Sequence, residues 1–149
     1  NGFALDILHV NKPVGGIVDD PVKWEKVKAD LTSVLEGRVK VSSLVKKRQK
    51  GSTLPAQKMP RFPNKVEFDC DVSREHTVID IFAHDEVGLL YRITRTLAEL
   101  GLYIHVAKIS TKVDQAADTF YVKDIFGQTI SDEAKREEIR KALFECMEE

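Results

Sequence analysis

Hydrophobic and polar positions alternate in short, distinct rhythms along this chain. Val66, Phe68, Cys70 and Val72 alternate with Glu67, Asp69 and Asp71, the period-2 signature of a strand with one face on a core. The run 77–83, Thr-Val-Ile-Asp-Ile-Phe-Ala, is rich in β-branched and aromatic residues and predicts a second strand. His84 to Gly88 form a turn into a helix whose apolar residues Leu89, Leu90, Ile93, Leu97 and Leu100 follow the helical period, and Gly101 ends it as a left-handed C′ residue. A strand over 103–111, a turn over 113–116 and a strand over 117–124 follow. Beyond Gly127 comes a last helix, capped by Ser131, with Ile139, Leu143 and Cys146 on its buried face. The predicted order is β-β-α-β-β-α.

The amino-terminal part predicts a strand over 3–10, a Gly15-Gly16 turn, and a helix with Asp20 as N-cap and Pro21 at N1, where proline's missing donor costs nothing. Its expected buried stripe is Trp24, Val27, Leu31, Val34 and Leu35, and Gly37 stops it; 42–48 adds a further turn or two of helix. This unit repeats later in the chain. At an offset of 112 residues Asp6 pairs with Asp118, Val10 with Val122, Gly15 with Gly127 and Asp20 with Asp132, and the match runs on without a gap to Leu31 and Leu143. One supersecondary unit is therefore used twice. Fifty or more patterned residues precede the second copy and almost none the first, so the chain is expected to start inside the first of two related domains. That half is expected to borrow contacts for its apolar face from the other domain or another chain.

Composition adds the exclusions. The chain has 149 residues, 42% hydrophobic and 32% charged, enough for one core or two small ones. No apolar run approaches the ~20 residues that cross a bilayer, and the start at Asn1 lacks a signal-peptide pattern, so a cytoplasmic protein is expected. Cys70 and Cys146 lie far apart with no partner at metal-ligand spacing, which predicts two reduced thiols and neither a zinc site nor a disulfide framework. The net charge of −1 is a cancellation. Arg38, Lys40, Lys46, Lys47, Arg48, Lys50, Lys58, Arg61 and Lys65 fall in a stretch with no acid, which also holds Pro55, Pro60 and Pro63, so the rest of the chain is acidic on balance. That stretch predicts a linker over 38–64 between folded parts at 1–37 and 65–149.

Asp85-Glu86-Val87-Gly88-Leu89-Leu90-Tyr91-Arg92-Ile93, entered from a strand and followed by two strands and a helix, resembles the ACT domain, a ferredoxin-like small-molecule sensor. Gly88 to Thr94, Leu100 to Thr111 and Asp118 to Asp124 are similar to the carboxy-terminal tandem-ACT region of the bacterial PII-protein uridylyltransferase/uridylyl-removing enzymes. The resemblance implies an α+β fold, an antiparallel sheet with two helices on one face, preceded by a partial ACT copy. It places the strand that begins at Val66 on the sheet edge otherwise filled by a strand after the last helix. Many ACT turns carry Arg-Pro between Asp and Gly, where this chain has Glu86-Val87. The implied role is regulatory: sensing an amino acid, with glutamine implied by the family, in nitrogen metabolism. The implied partners are the enzyme's own catalytic domains, the PII protein and a second copy of the chain. No catalytic residue and no cofactor are expected, because the family's nucleotidyl-transfer and phosphohydrolase motifs are absent.

The residues offer a physical route to binding. Backbone N–H groups in the first turn of a helix attract anions, so an amino-acid carboxylate can dock at Asp85, Glu86, Val87, Gly88, Leu89 and Leu90. Lys108, Ile109, Ser110 and Thr111, across the sheet, would complete such a pocket. The structural alternative has Asp85 capping the helix and Gly88 allowing close packing, in a domain that serves as an interaction scaffold and binds no metabolite. His9, His76, His84 and His105 lack the spacing of a metal site. Lys46 to Lys50 read as a solvated linker, and the aromatics Phe120 and Tyr121 fall on opposite faces of one strand, so a nucleic-acid partner is not expected.

Overall fold

The computed structural model describes residues 6–11, 16, 18–51, 63–69, 72–112 and 115–148. The chain divides into two compact units, Asn1–Leu44 and Val45–Glu149. The boundary falls inside a helix.

In the first unit, helix α1 spans Pro21–Leu35. Asp20 caps it as expected, its carboxylate accepting from the N–H groups of Val22 and Lys23 at 3.1 and 3.2 Å. Two expectations fail here. Residues 6–10 are not a strand, while 3–5 and Gly15 lie outside the described residues. The stripe is not buried either: Val27 and Leu31 are about half exposed and Leu35 is 77% exposed. The repeat supplies the reason. The residues equivalent to Val27 and Leu31 in the second copy, Ile139 and Leu143, are fully buried under a sheet, and the described part of the first copy contains no sheet to cover them. Helix α2 follows at Val41–Gly51, longer than expected.

The second unit has the predicted order with one short strand added. Strands β1 (Lys65–Asp69) and β2 (Thr77–His84) are followed by α3 (Leu89–Glu99), β3 (Tyr103–Lys108), β4 (Thr111–Lys112), β5 (Gln115–Lys123) and α4 (Glu133–Glu148). The antiparallel sheet runs β1-β2-β5-β3, with β4 also paired to β5. β1 occupies the edge beside β2 that the resemblance assigned to it. Cys70 lies outside the described residues.

Alternation does the sorting. Ile79, Ile81 and Ala83 on β2 and Ala116, Phe120 and Val122 on β5 face one side and pack with Leu89, Ile93 and Leu97 of α3 and Ile139 and Leu143 of α4. Tyr121 points to the other face, where its ring lies 6.2 Å from that of His76. Gly101 closes α3 at φ +73°, where a β-carbon would also meet the Ile125 side chain at 3.2 Å. The strand expected over 103–111 breaks at Ile109-Ser110, where the Ser110 carbonyl still accepts from the Ala117 N–H of β5 but its N–H donates to the Asp118 side chain and not to a backbone carbonyl.

Ser131 does not cap α4. Asp132 does, accepting from the Ala134 N–H at 3.1 Å. Asp132 is the repeat equivalent of Asp20, and the correspondence extends further. Trp24 donates its indole N–H to the Val18 carbonyl at 2.9 Å, and Arg136, 112 positions later, donates Nε–H to the Ile130 carbonyl at 2.9 Å. Two unlike side chains thus tie the same helix turn to the same preceding carbonyl. We expect Asp132→Ala to lower the unfolding free energy of the second unit by about 1 kcal/mol and Ser131→Ala to change it by less than about 0.5 kcal/mol, measured by urea denaturation.

Candidate functional site

β2 ends at His84, and the exposed residues Asp85, Glu86 and Val87 carry the chain to α3. Gly88 is the N-cap at φ +104°, a left-handed conformation that side-chain-bearing residues adopt at a cost. No side chain caps α3, so Asp85 does not take the capping role. The Leu89 N–H is held by the Glu86 carbonyl at 3.1 Å, which closes the turn from within. The first turn of α3 therefore presents its N-terminal dipole beside an uncapped glycine.

Glu86 is committed elsewhere. It forms an ion pair with Arg92, whose Nε–H also donates to the Cys146 carbonyl at 2.7 Å in the last turn of α4. One guanidinium thus ties the turn to the carbonyl end of the neighbouring helix, where cations are favoured. Leu89 is buried and Leu90 is 41% exposed, so of the two leucines in the motif the first anchors the helix and the second faces outward.

Ser110 stands close to Asp118: its N–H donates to Asp118 Oδ1 at 3.1 Å and its carbonyl accepts from the Ala117 N–H at 2.7 Å. Asp118 is only 4% exposed, a carboxyl on the inward face of β5 between Ala116 and Phe120. Burial pushes its pKa above the ordinary carboxylate range; the Ser110 N–H opposes that shift, and the negative charge of nearby Asp85 adds to it. The strand end at Ser110 is therefore anchored on this carboxyl, and Asp85 in the turn after β2 acts on its charge.

Lys108 is set apart. It pairs with Thr119, which faces away from the helices and donates to Asp80 at 2.5 Å, and its ammonium lies 5.1 Å from the centre of the Tyr121 ring. Its side chain belongs to the sheet face opposite Asp118. Ile109 and Thr111 are exposed on either side of Ser110. Among the described residues no group of three or more His, Cys, Asp or Glu could hold a metal ion. His84 is exposed, and His76 lies edge-on to His105 at 5.0 Å.

Two contributors escaped the sequence reading. Asp118 carried a signal, an acid at a core position of an alternating strand. Gln49 carried none, being 38 residues from its partner: from α2 its side-chain amide donates to the Val87 carbonyl at 2.9 Å.

One antiparallel sheet, two helices on a single face and an uncapped glycine turn at the helix entry define a ferredoxin-like regulatory domain of the ACT type. The family model described as "ACR9-like, ACT-like domain" matches residues 65–149, and the chain belongs to that family. Curated relatives are bifunctional uridylyltransferase/uridylyl-removing enzymes. That of Azospirillum brasilense is 37% identical over 99% of this chain, that of Cereibacter sphaeroides 37% over 100%, and that of Novosphingobium aromaticivorans 33% over 100%. The chain spans 16% of the length of each. No solved structure matches significantly. Among the described residues no helix is long and apolar enough to cross a membrane.

The Asp118 shift fixes the sign of a pH effect. A raised folded-state pKa favours the neutral acid in the folded chain. Its stabilising contribution is full below the unfolded value of about 3.9 and is lost as pH rises through the higher folded value. Asp118→Asn keeps an oxygen for the Ser110 N–H and removes the charge, so urea unfolding from pH ~3.5 to ~7 should show a shallower loss of stability than in the unsubstituted chain.

Proposed function

We propose that this chain is the amino-acid-sensing regulatory region of a uridylyltransferase/uridylyl-removing enzyme in nitrogen regulation, and that its ligand is glutamine. The uncapped turn at Gly88, with Asp85 just ahead of it acting on the charge of the buried Asp118 that Ser110 binds, supports the reading. The ligand carboxylate would lie against the first-turn N–H groups of α3, and its ammonium would face Asp85 and Asp118. The catalytic activities of the relatives would reside in domains outside this region, in the cytoplasm, and the PII protein would be their substrate. Ligand occupancy would reach them by favouring one packing of the ACT units, by no more than the ligand's differential affinity for the two packings. The partial first copy, 1–37, and the basic segment 38–64 would belong to the tandem arrangement, with a homodimer as a further assembly.

Calorimetric titration of L-glutamine into the 149-residue chain should give a saturable heat, and Asp118→Asn should weaken binding about tenfold, the worth of one charged hydrogen bond. No heat and no thermal shift at millimolar glutamine, with the fold intact, would contradict the sensor reading.

A further inference from the structure

The turn at Gly88 already holds a carboxamide. Val45 and Gln49 stand one helical turn apart on the same face of α2, and both face the glycine. A β-carbon placed on Gly88 would lie 3.0 Å from Val45 Cγ1 and 3.1 Å from Gln49 Nε2. The Gln49 amide, itself exposed, donates to the Val87 carbonyl at 2.9 Å, and Lys46, Lys47, Arg48 and Lys50 are exposed as well. The end of α2 is thus a strap pressed onto the turn through one apolar and one amide contact.

A carbonyl oxygen accepts hydrogen bonds and cannot donate them. A primary carboxamide, which has two N–H donors, satisfies it; a carboxylate would set oxygen against oxygen. We infer that the Val87 carbonyl is the element that selects a carboxamide side chain at this site, and that Gln49 is its built-in occupant, which a free carboxamide amino acid must displace. The inference rests on the amino-acid-sensing reading and adds to it the discrimination of glutamine from glutamate. It also supplies a route for the signal. A ligand that displaces Gln49 releases the end of α2 from the turn. The shift is bounded by the worth of one exposed hydrogen bond and one apolar contact, which keeps it reversible.

The test compares the 149-residue chain with Gln49→Ala, which keeps a good helix former in α2. Without ligand, amide hydrogen exchange over 45–51 and 86–91 should be about three- to tenfold faster in the variant. Unchanged exchange overturns the strap. In calorimetry Gln49→Ala should bind L-glutamine about three- to tenfold more tightly than the unsubstituted chain, and L-glutamate at least about tenfold more weakly than L-glutamine. Equal glutamine affinity in the two chains, or equal affinity for the two amino acids, overturns this inference and leaves glutamine sensing standing. Absence of glutamine binding by both chains overturns the sensing reading and this inference together.

Discussion

Antiparallel pairing of β2 with β5 sets Thr77 to His84 against Val122 to Gln115, and every feature of the candidate site hangs from one end of that ladder. Its inward side chains, among them Ile79, Ile81, Phe120 and Val122, are essentially removed from water, and the two helices exist as packed elements because that apolar surface receives them. At the His84–Gln115 end the pairing runs out. There β2 releases the Asp85–Gly88 turn, while Asp118, still in the ladder, holds Ser110. A shift of one residue between β2 and β5 would turn Asp118 outward and dismantle both the core and the site.

The cost of this arrangement is concentrated at Asp118. A carboxyl among Ala116, Phe120 and the sheet interior loses hydration that the single Ser110 N–H replaces only in part, and its pKa rises accordingly. At the start of β2, Thr77 shows the cheaper solution for a buried polar group: its hydroxyl accepts from the Ile130 N–H at 2.7 Å and stays neutral at all relevant pH. Of these two buried polar groups, Asp118 is the one whose ionisation works against the folded state.

Periodicity made most of the second unit legible. Alternation located β1, a β-branched and aromatic run located β2, and the helical period located α3 and α4. Ser131 and Asp132 are comparable caps on local chemistry; the repeat, through Asp20, separates them. The stripe of α1 has the same period as that of α4, yet burial depends on a covering sheet, which a helix's own sequence does not encode. In the site, the glycine turn was legible from its spacing. The face taken by Lys108 depends on the register of β3 against β5, which shifts between Ile104 and Val106, and the contact of Gln49 with Val87 is purely tertiary.

The central claim, that the Gly88 turn is where the chain meets its effector, is tested most directly by following backbone amide chemical shifts while L-glutamine is added to the 149-residue chain. Saturable shifts concentrated at Val87 to Tyr91, Ser110 and the 45–51 segment are the predicted result. Shifts centred instead on the Tyr121 face of the sheet, or none at millimolar glutamine, would contradict it.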